Sequence, residues 1–220
     1  MRRSLIIGAS GGVGGALVRA LEARGDAVTG LSRSADGLDL ADPASVERVM
    51  ARQEGPFDLL LVATGILAPK GGAPEKALAQ IEAAALAELF AVNAIGPALI
   101  LRHAPRLLPR RGRATLGVLT ARVGSIGDNG LGGWHGYRAS KAAANQIVKG
   151  AAIELARTHP GCTVVALHPG TVETPFTAAY PGRDKVSPER AAENLLRVID
   201  GLTPADTGRF LDWAGEEIPW

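Results

Sequence analysis

Leu5-Ile6-Ile7-Gly8-Ala9-Ser10-Gly11-Gly12-Val13-Gly14 runs from an apolar triplet straight into a glycine-rich turn, and a helical pattern begins within that turn over residues 12–24. The triplet reads as a strand buried on both faces, because such strands are near-continuously apolar. Glycine is needed at the junction for two reasons. A tight turn requires permissive φ, and absent side chains let backbone N–H groups approach an anionic pyrophosphate at a helix N-terminus. A plain strand-to-helix turn would also tolerate glycine, but the strand before and the helix after favour dinucleotide binding.

Outward from this stretch the same alternation continues to the end of the chain. Apolar runs at residues 27–31, 59–62, 114–119, 163–167 and 209–213 read as further strands, and helical patterns cover residues 45–53, 83–108, 136–158 and 188–200. Gly25 and Pro160-Gly161 supply two of the helix stops. A β-α-β alternation implies right-handed crossovers and an α/β, doubly wound, mostly parallel sheet, with ligands at the carboxyl ends of the strands. No linker or repeat divides the 220 residues, and 46% hydrophobic against 21% charged is the usage of one globular domain, residues 1–220.

The net charge of +2 is too weak a field to argue for a polyanionic partner. Arg102, Arg106, Arg110, Arg111 and Arg113 cluster locally, but cations at a helix C-terminus suit its dipole and a solvated surface, so no nucleic-acid partner is expected. Cys162 is alone, which excludes an intrachain disulfide, and no Cys/His spacing suggests a metal site. Arg2-Arg3 and the short apolar run after it read as a strand entry rather than a leader, because Gly8, Gly11, Gly12, Gly14 and Gly15 break the run. No segment approaches about 18 uninterrupted apolar residues, so no membrane span is expected, and the expected location is cytoplasmic.

The second informative stretch is Tyr137-Arg138-Ala139-Ser140-Lys141, at the start of a helical pattern. A four-residue step puts the phenol and the ammonium on one helix face, one turn apart. A tyrosine with its ordinary pKa of about 10 is a poor proton shuttle near neutrality unless positive charge favours the phenolate. Alone, this spacing describes many surface helices; placed after the glycine turn, it carries weight.

Gly8, Gly12 and Gly14 give the spacing Gly-xxx-Gly-x-Gly, and together with Tyr137-xxx-Lys141 this chain resembles the short-chain dehydrogenase/reductase family over essentially its whole length. The resemblance implies a single Rossmann-type domain with about seven strands, a homodimer or homotetramer built on the two long helices, and hydride transfer between NADP(H) and a small carbonyl or alcohol. It assigns proton exchange to Tyr137, and to Lys141 the nicotinamide ribose and a lowering of the tyrosine pKa. Asn93 matches the asparagine that organises a relay water, and Pro97, lacking an N–H, cannot bond to the Asn93 carbonyl. The expected cofactor contacts are Gly8, Ser10, Gly12, Val13 and Gly14 in the turn, the pair Asp39-Leu40 at the adenine, and Ala63-Thr64-Gly65 after the third strand. Pro169, Gly170, Val172 and Thr174, with Asn93, Tyr137 and Lys141, complete the set at the nicotinamide.

Cofactor choice turns on the end of the second strand, where an acid would bond the NAD ribose and repel a 2′-phosphate. Ser32-Arg33 stands there, and a guanidinium neutralises and doubly bonds a phosphate, so NADP(H) is expected, with NAD(H) the other option. The chain departs from the family at the catalytic serine, where Ala121 stands. Ser125, twelve positions before Tyr137, is the expected replacement, carried to the substrate oxygen by the loop 123–133, with Thr120 as the alternative. Residues 175–187 are the expected substrate lid, short enough to favour a small carbonyl. Val123-Gly124-Ser125-Ile126-Gly127-Asp128-Asn129 and the closing Gly208 to Trp213 and Ile218-Pro219-Trp220 stretches resemble the branch of bacterial C-factor and sniffer-type carbonyl reductases. That branch supplies the other reading, a non-catalytic NADP(H)-binding signalling protein.

Overall fold

The computed structural model describes residues 1–180 and 184–220. Six strands among these residues form one parallel sheet: β1 (Arg3–Ile7), β2 (Ala27–Leu31), β3 (Leu59–Val62), β4 (Ala114–Leu119), β5 (Cys162–His168) and β6 (Phe210–Asp212). Their order is β2-β1-β3-β4-β5-β6, the doubly wound arrangement expected, one strand short of the count implied by the family. The register brings Ile7 beside Leu31 and Val62, Val62 beside Val118, and Leu119 beside Leu167. The carboxyl ends of four central strands therefore finish level, and Gly8, Ala63, Thr120 and Pro169 emerge along one edge.

Alternation along the strands builds a core on each face, since successive side chains point to opposite sides. Leu5, Ile7, Leu60, Val62, Leu116, Val118, Val164 and Ala166 pack on one side. Their partners include Val49 and Met50 of α3 (Pro43–Ala51), Ile100 of α5 (Gly96–Leu101), Leu107 of α6 (Ala104–Leu107) and Val148 of α7 (His135–Thr158). Ile6, Leu59, Leu61, Val165 and Leu167 face the other way, onto Leu17 and Leu21 of α1 (Gly12–Ala23) and Leu195, Leu196 and Ile199 of α8 (Pro188–Gly201).

The single helix expected over residues 83–108 is broken. It comprises α4 (Ala83–Phe90), a π-helical turn at Ala91–Ile95, α5 and α6. Pro97 cannot supply the N–H that would continue the regular ladder to Asn93, and the Gly96 N–H reaches back to the Ala91 carbonyl across five residues. By length and composition alone Ala83–Leu101 is apolar enough to cross a membrane. It carries Asn93, however, fully buried at the centre of the π turn, and Leu89, Ala94 and Ile100 are packed inside the fold.

Three of the five clustered arginines are tied into the fold. Arg102 pairs with Glu47 at 3.4 Å, Arg106 donates to the Gln53 and Met50 carbonyls, and Arg113 donates to the Leu202 carbonyl.

Candidate active site

The glycine turn is fastened to the end of β2, where the Gly8 and Ala9 N–H groups donate to the Leu31 carbonyl at 2.8 and 3.0 Å. Gly8 has φ +93°, and a Cβ there would lie 2.7 Å from the Ala63 carbonyl oxygen. A Cβ on Gly14 would lie 2.1 Å from the Gly8 carbonyl oxygen, and one on Gly12 2.5 Å from Thr174 Cγ2. At Gly8 and Gly14, where the obstacle is backbone, the turn can thus be traced only by glycine, while a side chain at residue 12 would have to displace Thr174. Gly11 caps α1 without a side-chain bond and no acid occupies the first turn, so the helix N–H groups face outward unblocked.

A cleft of about 1000 Å³ opens along the carboxyl edge. Ser10, Gly12 and Val13 line one end, Ala63-Thr64-Gly65 the floor, and Tyr137, Lys141, Pro169, Gly170, Val172 and Thr174 the far side. Three residues on its walls hold buried polar atoms without a protein partner: Thr64 Oγ1, Thr120 Oγ1 and His168 Nδ1. A cradle that a Cβ would fill, with orphaned hydrogen-bonding groups beside it, fits a dinucleotide.

Ser32 N-caps a short helix missed by the sequence reading, α2 (Arg33–Asp36), by accepting from the Ala35 N–H at 3.2 Å. Arg33 begins that helix and is exposed. Of the adenine pair, Asp39 Oδ1 accepts from the Ala41 N–H at 3.0 Å, while Leu40 is buried in the core against Gly96. Leu40 can therefore offer a ligand its backbone only.

Asn93 reaches across from the π turn. Its amide oxygen accepts from the Ile66 N–H at 2.8 Å, and its Nδ2 donates to the Ile66 carbonyl at 2.8 Å and to Ser140 Oγ at 3.0 Å. One side chain thus joins the segment after β3 to the helix carrying Tyr137 and Lys141. Lys141 is 3% exposed and donates to the Leu119 carbonyl at 3.1 Å. Gly65 lies against this group, since a Cβ there would be 3.1 Å from Lys141 Nζ and 3.2 Å from Asn93 Oδ1.

The tyrosine departs from expectation. Burial pushes the Tyr137 hydroxyl above its ordinary value rather than the lysine pulling it below, because the low-dielectric wall disfavours phenolate. Burial also lowers Lys141 from 10.5 to about 8. His168 falls to about 4, through burial first and then the charge of Arg122, and is neutral near pH 7. The lysine shift has a measurable sign. Between its folded value of about 8 and its ordinary value of 10.5 the unfolded chain binds more protons, so this group makes stability rise with pH across that window. Burial lifts Cys162 to about 11 and opposes the rise at the upper end. Lys141→Met should therefore lose a contribution that grows from about pH 8 to about pH 10 in urea unfolding; a wild-type-minus-variant difference that is flat over the window would contradict the assignment.

Ser125, the expected replacement for the family serine, does not line the cleft. A short 3-10 turn at Arg122–Gly124 carries it away, and its hydroxyl donates to the Pro219 carbonyl and accepts from the Asp128 N–H. Spacing from Tyr137 could not show this, because the chain's final residues fold back onto the loop: the Gly127 N–H donates to the Trp220 carbonyl at 3.0 Å, and Trp220 stacks on Phe210. Thr120 and Ala121 line the cleft instead. Ser125→Ala is expected to cost about 1 kcal/mol of stability with turnover within about threefold of wild type, whereas Thr120→Val lowers kcat by about tenfold or more. Equal turnover in the two variants would refute the reassignment.

The lid expected over 175–187 falls partly on residues 181–183, which lie outside the described residues. Of the rest, Phe176 and Tyr180 cover the cleft. Tyr137 meets Phe176 edge-on at 5.9 Å, and Trp134 meets Tyr180 at 5.0 Å. Arg122, Asp128 and Arg138 also line the cleft, with Arg122 bridging Asp128 and the buried Asp212, each at 3.2 Å. Glu75 sits in no motif and is brought in by tertiary contact alone; Asp212 lies within the closing Gly208 to Trp213 stretch, but sequence reasoning gave it no site role.

These features define a Rossmann-type oxidoreductase site of the Tyr-xxx-Lys kind. Residues 8–211 match the family described as enoyl-(acyl carrier protein) reductase. The chain is 34% identical over 239 aligned residues to 1-hydroxy-2-glutathionyl-2-methyl-3-butene dehydrogenase of Rhodococcus sp., covering 100% of both chains. It is 37% identical over 172 residues to the C-signal of Myxococcus xanthus, covering 76% of this chain and 94% of that one. A carbonyl reductase of Pseudomonas aeruginosa PAO1, solved in complex with NADP, superposes with a TM-score of 0.79 at 25% identity, covering 100% of each chain. The chain belongs to the short-chain dehydrogenase/reductase family.

Proposed function

We propose that the protein is an NADP(H)-dependent oxidoreductase acting on a small carbonyl or alcohol, with Tyr137 giving the proton in reduction and taking it in oxidation. The observation that carries this reading is one cleft bounded at one end by the glycine turn and on its far side by Tyr137 and Lys141 on successive turns of α7. Gly8, Ser10, Gly12, Val13 and Gly14 would hold the pyrophosphate, Ala63-Thr64-Gly65 and Lys141 the nicotinamide ribose, and Pro169, Gly170, Val172 and Thr174 the nicotinamide. Bound NADPH supplies the hydride. A phenol whose pKa is raised by burial stays protonated, the form needed to donate to a developing alkoxide. Lys141, charged near neutrality, stabilises the phenolate left behind. Asn93 fixes the helix against the floor of the cleft and holds the relay water. Thr120 offers its unpartnered hydroxyl to the substrate oxygen.

NADP(H) over NAD(H) is supported by exposed Arg33 at the end of β2 and by the NADP-bound Pseudomonas relative. The half-exposed Ile95 and Ile153 support a homodimer or homotetramer formed through the segments that bear them, and the single buried thiol of Cys162 suits a cytoplasmic enzyme. A second reading, NADP(H) binding without turnover in a signalling role, is favoured by Ala121 in the serine position and by likeness to the C-signal. A panel of aldehydes, ketones, quinones and glutathionyl alcohols, assayed with NADPH and NADH, separates the two. Turnover with NADPH preferred is the expected result; tight NADPH binding with no turnover across the panel would install the second reading.

A further inference from the structure

Glu75 lies between β3 and α4, outside every motif, yet it is only 7% exposed and its contacts converge on the first turn of α7. Its backbone carbonyl accepts from the Trp134 N–H at 2.6 Å, and both carboxylate oxygens accept from the Gly136 N–H at 3.3 Å. Trp134, the N-cap residue of α7, makes no side-chain cap bond of its own. Among the described residues it is the one non-glycine with positive φ, at +50°. A bulky residue keeps that conformation only where its surroundings over-determine it. Gly136 is equally constrained, because a Cβ there would lie 2.7 Å from Leu89 Cδ1 and 2.8 Å from Glu75 Oε1. The carboxylate stands at the positive end of a 24-residue helix, where a negative charge is favoured.

Resting on the reading of Tyr137 as the proton-exchanging group, we propose that Glu75 is a positioning residue for the reaction: it locks the Trp134–Gly136 corner so that Trp134 and Tyr137 face the cleft. Both aromatic residues line that cleft, their rings 6.2 Å apart. Trp134 also meets Tyr180, so the corner sets the wall against which substrate rests. Without the Glu75 carboxylate the Gly136 N–H loses its acceptor, the corner keeps only the backbone bond from Trp134, and the indole ring is no longer fixed against the wall. Tyr137, three residues on, then starts from an unfixed helix end. A plain helix cap would act differently, lowering the melting temperature and leaving kcat of the folded enzyme unchanged.

The test uses the full chain with Glu75→Ala and Glu75→Gln. It measures NADPH affinity by fluorescence titration, kcat and KM for the best carbonyl of the panel, and amide hydrogen exchange over residues 134–137. Glu75→Ala is expected to lower kcat by about tenfold or more, to leave NADPH affinity within about twofold, and to speed exchange at the start of α7 by about tenfold or more. Glu75→Gln keeps an acceptor oxygen and falls between. Wild-type kcat in Glu75→Ala, or equal losses of kcat and NADPH affinity, would overturn the proposal; should Glu75→Ala not fold, the same readouts on Glu75→Gln decide. If the wild type turns over no carbonyl, it is the functional reading that has failed, and unchanged exchange over 134–137 is then the result that sinks the lock itself.

Discussion

Tyr137→Phe is expected to lower kcat for carbonyl reduction by about 10²–10⁴-fold, the usual contribution of a positioned general acid. The substitution removes one oxygen from a ring that stays where it is. Tyr137 packs edge-on against Trp134 and Phe176 and lies in a small cluster with Leu89 and Ala121. A phenyl ring keeps every one of those contacts. The fold, the cleft wall and the glycine turn are therefore untouched, and NADPH should bind within about twofold of wild type. The loss corresponds to roughly 3–5 kcal/mol of transition-state stabilisation. Steady-state rates at saturating NADPH, beside a fluorescence titration of the same preparations, check both halves. Residual turnover within about tenfold of wild type would move the proton donor to another group, and Thr120 would be the first to examine.

The placing of Tyr137 and Lys141, the proposed catalytic pair, on one wall of the cleft was legible because their spacing is local. One turn of helix fixes the offset of Tyr137 and Lys141, and the glycine turn between β1 and α1 is dictated by backbone sterics that only glycine satisfies. The sheet was legible for a similar reason, since strands buried on both faces carry unbroken apolar runs. What the sequence could not show depends on atoms distant along the chain. Ser125 has the right interval from Tyr137, yet its hydroxyl is taken by Pro219, ninety-four residues away. Glu75 and Asp212 carry no spacing signal at all. The rise of the Tyr137 pKa was also invisible, because desolvation is a property of the packed wall and not of the neighbouring lysine. Pro97 gave warning of the break in the long helix, but the form of the break, a π turn centred on Asn93, follows from the need to bring that side chain to Ile66 and Ser140.

Gly14→Ala sets two magnitudes against each other. Gly14 lies within α1, and by helix propensity alone alanine should stabilise by about 1 kcal/mol. The added methyl would stand 2.1 Å from the Gly8 carbonyl oxygen and 2.8 Å from the Gly8 carbonyl carbon. These are backbone atoms, so no rotamer change relieves the overlap. Gly8 must move instead, and it is held by the Leu31 carbonyl on one side and accepts from the Gly11 N–H on the other. Overpacking of this kind costs typically 1–3 kcal/mol and sometimes more, so the steric term wins and the variant is less stable than wild type. The effect on ligand binding is larger, because the displaced atoms form the proposed pyrophosphate cradle: NADPH affinity should fall by about a hundredfold, near 3 kcal/mol. Gly150→Ala is the internal control, sitting in α7 with nothing within 4 Å of its Cβ, and it should gain up to about 1 kcal/mol with NADPH binding unchanged. Urea unfolding and NADPH titration of both variants decide the matter; a Gly14→Ala protein as stable as Gly150→Ala that binds NADPH normally would show that the turn does not hold the cofactor as described.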